Sequence, residues 1–273
     1  MKKIERPVLG ILRLDYDYPP ALGDIDHPGS FNYEVLYREI PGLTFQMCQD
    51  NTLTRQVVWN CIAAVEFLSS RNVSGITGDC GFMVNIQEII KVHTDKPVFL
   101  SCLMQLPLIF SSINTDAEVG VFTANSESLR TIEKELARIS GIEGNSHRLK
   151  IVGCQDVPGF EAVALGERVD TELVGPGVIA LAKEFIAQNP YVACILLECT
   201  ELPPYANALR HATGLPVYDS ITNCDAFMSG YLGHKNFGLQ DWREDWSGTQ
   251  AEYRFGDNLT EEERGMLVSL KLG

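Results

Sequence analysis

The stretch Asn72-Val-Ser-Gly-Ile-Thr-Gly-Asp-Cys80-Gly-Phe-Met-Val-Asn85 decides the fold. Val73 to Thr77 is a short apolar run rich in β-branched residues, closed by Gly78. Cys80 follows, and a helical spacing then opens through Phe82, Val84, Ile86, Ile89 and Ile90. A run this short, bounded by glycine, reads as a buried strand, so the thiol stands where a strand ends and a helix begins. The pattern recurs once. Val192-Ala-Cys-Ile-Leu-Leu-Glu-Cys199-Thr-Glu-Leu-Pro203 is again an apolar run ending in a cysteine before a helix.

Working outward, the rest of the chain alternates in the same way. Strands are predicted at Val8 to Leu14, Leu43 to Met47, Pro97 to Ser101, Val119 to Thr123, Leu149 to Cys154 and Pro216 to Tyr218. Helices are predicted around Tyr33 to Ile40, Thr54 to Leu68, Glu127 to Ile139, Thr171 to Gln188, Pro203 to Ala212 and Ile221 to Tyr231. Strands alternating with helices imply an α/β protein with parallel sheets covered on both faces. The pattern restarts near residue 116, which predicts two similar Rossmann-like (flavodoxin-like) halves. Ligands of such sheets bind at the carboxyl ends of the strands, so two facing halves would bring Cys80 and Cys199 into one interdomain cleft. The loop from Asp15 to Gly29 is long and lies at a strand's carboxyl end, where loops are often functional. The last forty residues read as a packed tail.

Composition narrows the function. At 273 residues, 45% apolar and 21% charged, the chain has ample core for a globular protein. A formal charge of −14 argues against a nucleic-acid partner, which asks for a basic face. Val98 to Phe110 is broken by Ser101, Gln105 and Pro107 and falls short of the ~20 apolar residues of a membrane span. Arg13 and Asp15 cut the first apolar stretch short, so a cytoplasmic protein without signal peptide is expected. The five histidines are dispersed and the eight cysteines show no metal spacing, so no metal is expected. Gly175-Pro-Gly-Val-Ile-Ala180 loosely fits a dinucleotide pattern, but polar residues precede it rather than a strand, so it reads as a helix start and no cofactor is expected.

Most of the cysteines read as small core hydrophobes. Cys80 and Cys199 read differently because of their placement: a thiolate at a helix N-terminus is expected to have a lowered pKa. A thiolate on one side of a carbon and a thiol on the other can invert a stereocentre. Thr123, Asn125, Ser126 and Thr200 stand at strand-to-helix junctions, in reach of such a site. Asp79 and Glu198, each one residue before a cysteine, should point to the opposite face by strand alternation and read as structural. Glu201 fits a helix-dipole cap and a substrate contact equally well, and Arg13 reads more as a surface charge than as a carboxylate clamp.

Ile195-Leu-Leu-Glu198-Cys199-Thr-Glu-Leu-Pro203 strongly resembles the second catalytic motif of the aspartate/glutamate/hydantoin racemase superfamily. Thr77-Gly-Asp-Cys80-Gly-Phe82 matches the position of its first cysteine. Val121-Phe-Thr-Ala-Asn125 resembles the strand that opens its second half, and Leu215-Pro-Val-Tyr-Asp219-Ser220 the segment where the chain returns. The resemblance implies two pseudo-symmetric domains, 1–115 with 213–273 and 116–212. It also implies cofactor-independent catalysis with Cys80 and Cys199 as acid and base, and Gly81, Phe82, Thr123, Asn125, Thr200 and Glu201 lining the cleft. The expected activity is that of an amino-acid (aspartate- or glutamate-type) or hydantoin racemase, an isomerase acting on a small carboxylate or hydantoin-like substrate. Alternatives are a maleate isomerase, an arylmalonate-decarboxylase-like enzyme, or a non-catalytic dicarboxylate-binding protein. Members of that superfamily are often dimers, so a homo-oligomer is consistent with the resemblance. One departure stands out: Cys80 is followed by Gly81-Phe82, where amino-acid racemases commonly carry Asn-Thr.

Overall fold

The computed structural model describes residues 7–232 and 260–262. Residues 1–232 form one compact unit and 233–273 a separate one. The expected packed tail therefore lies almost wholly outside the described residues.

Two parallel sheets organise the first unit. In one, β1 (Val8–Arg13) is flanked by β2 (Glu34–Glu39) and β3 (Gly75–Gly78), in the order β2-β1-β3. In the other, β4 (Glu118–Thr123), β5 (Leu149–Gly153), β6 (Val192–Leu197) and β7 (Val217–Tyr218) run in the order β5-β4-β6-β7. The two orders are the same path drawn twice. Even the fourth position is matched: the predicted strand at 97–101 contributes an isolated bridge to β3, where Ile76 N donates to Pro97 O and Phe99 N to Ile76 O, both at 2.9 Å. Every residue of β3 and nearly every one of β6 is buried. That is why both read as unbroken apolar runs: a parallel strand covered on both faces has no polar side to alternate with.

Helices cover the sheets. Arg55–Ser70 starts at Thr54, whose hydroxyl accepts from Val57 N at 3.2 Å, and it buries Val57, Cys61, Ala64, Val65 and Leu68. Thr171–Gln188 starts at Asp170, whose carboxylate accepts from Glu172 N and Leu173 N, and the Gly175-Pro-Gly segment lies inside it. These side chains satisfy amide groups that a helix start leaves without partners. The last described helix, Ser220–Met228, returns to the first sheet: Cys224 and Met228 cluster with Leu9, Ile11 and Phe99. Its Phe227 ring packs so tightly on Gly75 that a β-carbon there would collide with it. The second sheet thus runs on through β7 to residue 218, beyond the expected return near 213, and the chain crosses back only after Tyr218.

Two sequence expectations are corrected. Residues 33–40, expected as a helix, form the edge strand β2. Val35, Leu36 and Tyr37 are only half-buried there, so their spacing mimics a helical face, and a six-residue ladder with β1 decides the matter. Residues 43–47, expected as a strand, lead instead into the helix Phe45–Asp50, because Thr44 accepts from Met47 N at 3.3 Å and caps it.

Candidate active site

The two halves meet where β3 and β6 end. Asp79 N donates to Leu12 O (3.0 Å) and Glu198 N to Phe122 O (2.7 Å), so each residue after the strand is tied to the neighbouring strand by an equivalent bond. Cys80 and Cys199 come one residue later. Both are buried, and both line one cavity with Gly81, Phe82, Thr200 and Glu201. Direct bonds hold the halves together around it. Thr200 Oγ1 donates to Asp79 O at 2.5 Å, and the Cys102 thiol donates to Leu197 O at 3.2 Å. Gly81 lies so close to Glu198 that any β-carbon would collide with its carboxylate and carbonyl oxygens.

Of the other expected lining residues, Thr123 sits one layer out. It is fully buried and donates its hydroxyl to Glu198 Oε2 at 2.7 Å. Asn125 caps the helix Ser126–Thr131, accepting from Glu127 N and Ser128 N, and faces a neighbouring cavity instead.

Alternation along the strands misplaced two carboxylates. Asp79 and Glu198 both line the cavity rather than pointing away. The period-two rule fails because β3 ends at Gly78 and β6 at Leu197, so both residues already lie in the turn. Asp79 Oδ2 accepts from Leu14 N at 2.9 Å, while Asp79 Oδ1 and Glu198 Oε1 are buried without a partner. Arg13 is no surface charge either: its guanidinium pairs with Asp26 at 2.9 Å and is mostly covered. The long loop after β1 supplies residues that no motif announced. Tyr16, Tyr18 and Asp26 line the cavity, and Tyr18 donates its hydroxyl to Asp24 Oδ2 at 2.6 Å. The loop's length and position were the signal that pointed to it.

As it stands closed, the inner cavity has room for about one water, near 10 Å³. A larger cavity of about 540 Å³ adjoins it, lined by Asp15, Thr44, Gln46, Asn125, Gln155 and Glu161 among others. Tyr16, Phe45, Ala124 and Val163 line both and form the partition. The Tyr16 hydroxyl donates to Val163 O across it.

The electrostatics overturn the expectation of lowered thiol pKa values. Burial pushes both Cys80 and Cys199 well above the ordinary thiol range. Carboxylates reinforce the shift, Glu198 with Asp79 and Glu201 beside Cys80, and Glu201 with Glu198 beside Cys199. The turn after Cys80 is a short 3-10 helix whose dipole does not offset this. Burial also raises Asp24, Asp79 and Glu201, and it lifts Glu198 to about 7 despite the bond from Thr123. Asp26 is raised by burial too, with Arg13 pulling it back. No Lys, Arg or His is among the residues lining the inner cavity.

The two thiols differ in one decisive way. Cys199 Sγ donates to Glu201 Oε2 at 2.8 Å, whereas among the described residues no side chain accepts from Cys80. A thiol hydrogen-bonded to a carboxylate has a place to send its proton, which is how a weak nucleophile or base is activated. Glu201, whose role the sequence left open, is therefore a partner of the thiol. Among the described residues no group of three or more His, Cys, Asp or Glu side chains is arranged to hold a metal ion. Nor is any described helix long and apolar enough to cross a membrane.

No family model matches the chain. Among known structures, it is similar to the Gly74Cys mutant of arylmalonate decarboxylase in its sulfate-associated form. That match has a TM-score of 0.55 and 15% identity, over 85% of this chain and 97% of that one. It is also similar to the aspartate racemase of Picrophilus torridus, with a TM-score of 0.52 and 14% identity, over 82% and 94% of the two chains. At such identities the likeness speaks for the fold, which is that of the Asp/Glu racemase superfamily, as the cysteine motifs implied.

Sequence relatives speak differently about activity. Dimethylsulfoniopropionate lyase 7 of Emiliania huxleyi (strain CCMP1516) is 48% identical over 269 residues, covering 97% of this chain and 79% of that protein. The dimethylsulfoniopropionate lyase of Durusdinium sp. clade D is 44% identical over 262 residues, covering 96% and 87%. These relatives overturn the expected racemase, and with it the isomerase class. The motif around Cys199 marks the superfamily, and lyases share it. The chain belongs to the dimethylsulfoniopropionate lyase family of enzymes, built on the Asp/Glu racemase fold.

Proposed function

We propose that this protein is itself a dimethylsulfoniopropionate lyase, releasing dimethyl sulfide and leaving acrylate. The names of its relatives support the substrate and the reaction class. The observation that carries the mechanism is the bond from the Cys199 thiol to Glu201 in a closed, buried cavity.

The chemistry asks for one base. The hydrogens beside the substrate carboxylate are weakly acidic, and the sulfonium on the next carbon is a good leaving group. Glu201 takes the Cys199 proton, and the thiolate takes the α-proton. The C–H electron pair becomes the carbon–carbon double bond, while the C–S pair departs with neutral dimethyl sulfide. Acrylate keeps the carboxylate, and the proton on Glu201 returns to water when the site opens. The sulfur needs no protonation to leave, so no acid is required opposite the base. This reading accounts for a site with two cysteines of which one has a proton acceptor. It gives Cys80, with Gly81 and Phe82, the task of walling the far side of the substrate and excluding water. Substrate is larger than the closed inner cavity, so entry passes through the partition at Tyr16, Phe45, Ala124 and Val163.

The test is direct. The purified protein, with thiols reduced, is incubated with dimethylsulfoniopropionate; dimethyl sulfide is measured in the headspace and acrylate by NMR. Both products in equal amounts are expected. A folded protein that forms neither overturns the assignment.

A further inference from the structure

The inner cavity is built for a positive charge. Four carboxyl-bearing residues line it (Asp26, Asp79, Glu198 and Glu201), with four aromatic rings (Tyr16, Tyr18, Phe45 and Phe82), and no basic side chain is among the lining. Two of the carboxylates are committed, Asp26 to Arg13 and Glu201 to Cys199. The other two each leave one oxygen unmatched: Asp79 Oδ1 and Glu198 Oε1 are buried with no hydrogen-bond partner. A buried polar atom left without a partner costs free energy, and native proteins keep few of them without reason. These two belong to the same cavity as both thiols. The rings of Tyr16 and Tyr18 meet with centroids 5.0 Å apart at 39°, making an aromatic corner on the loop side.

Resting on the lyase reading, we propose that Asp79 Oδ1 and Glu198 Oε1, with the Tyr16–Tyr18 corner, form the subsite for the substrate's onium head. An onium ion bearing methyl groups offers no hydrogen to donate. It is held by charge and by ring faces, which is what this wall presents. The occupant also resolves a difficulty left by the empty site. Alone, the crowded carboxyl groups oppose a thiolate at Cys199; with a cation among them, that opposition is offset in the state where the base must act. Substrate thereby helps ionise the residue that attacks it, and a neutral analogue cannot.

The test compares two unreactive ligands of matched shape, 3-(trimethylammonio)propanoate and 4,4-dimethylpentanoate, which differ in the charge of one central atom. Binding to the full-length protein is measured by isothermal titration calorimetry. The cationic ligand should bind at least roughly tenfold more tightly, the scale expected when one desolvated cation meets carboxylate and aromatic partners. Glu198→Gln and Asp79→Asn should each shrink that preference several-fold while leaving the affinity for 4,4-dimethylpentanoate unchanged. Equal affinities in the native protein, or a preference for the neutral ligand, overturn the subsite whether or not either variant folds. Dimethyl sulfide release on the same preparation keeps the two ideas apart. Release with equal affinities sinks the subsite and spares the lyase reading. A clear cation preference without release supports the subsite and sinks that reading.

Discussion

The two halves of this enzyme run the same path through their sheets and deliver a cysteine at the same place, yet they finish the job differently. After β3 the chain reads Asp79-Cys80-Gly81-Phe82; after β6 it reads Glu198-Cys199-Thr200-Glu201. Backbone bonds at Asp79 and Glu198 are equivalent, and so is the burial of the two thiols. The divergence begins one residue later. In the second half Thr200 reaches across to Asp79 O, and Glu201 takes the bond from Cys199. In the first half Gly81 yields its space to Glu198, and Phe82 buries an apolar ring. One half supplies a base with a proton acceptor, and the other supplies a wall. A symmetric fold has been made chemically one-sided, which is what an elimination needs and an inversion does not.

The largest expected effect breaks that comparison outright. Cys199→Ala should lower kcat by about 10³-fold or more, the scale of losing a positioned base, and Cys80→Ala should cost distinctly less. Initial rates of dimethyl sulfide release decide between them; equal losses would return the two cysteines to equal roles. Next comes Glu201→Gln. It keeps the shape and removes the acceptor, and kcat should fall about 10²-fold with a smaller change in KM. A variant that keeps full kcat would leave Cys199 without its partner's help and the asymmetry without a cause.

Two further changes sharpen the comparison through stability. Gly81→Ala forces a methyl group onto Glu198 and should cost roughly 1–3 kcal/mol. Thr200→Val, at the matching position of the other half, removes one buried hydrogen bond and should cost about 1 kcal/mol. Urea denaturation of both variants tests the order; the reverse would mean that the contact across the halves rests on Thr200 more than on the packing at Gly81.

The last effect is a dependence on pH. Burial raises the Glu198 carboxyl to about 7, above its unfolded value, so the folded protein holds that proton more tightly. Its contribution to stability is therefore fully present below about pH 4.5 and is lost as pH rises through 7. Glu198→Gln cannot lose a proton. The difference in melting temperature between variant and native protein should shift in the variant's favour from pH 5 to pH 8, and a constant difference would mean that Glu198 titrates normally.

How far the residues announced this design depends on what each signal measures. Both Cys80 and Cys199, the doubled α/β pattern and the cavity roles of Gly81, Phe82, Thr200 and Glu201 were legible, because burial on both faces of β3 and β6 leaves an unbroken apolar run that ends at the site. Local pattern failed where a segment was half-buried. The residues of β2 showed spacing compatible with either element until they paired with β1. It failed again at Asp79 and Glu198, since alternation holds only while the strand lasts.

The motif around Cys199 determined the superfamily, and composition excluded a basic face and a membrane span in the stretches read. Which chemistry the superfamily fold carries here was not written in that motif, since it serves lyases as well as racemases. Tertiary structure decided the rest. It brought Tyr16, Tyr18 and Asp26 from a distant loop to the two thiols, and it turned Arg13 inward onto Asp26. It also buried the thiols deeply enough that desolvation, rather than a helix dipole, governs their protonation. Those outcomes depend on which surfaces meet and how much water is left between them, quantities that belong to the packed chain and not to any window of its residues.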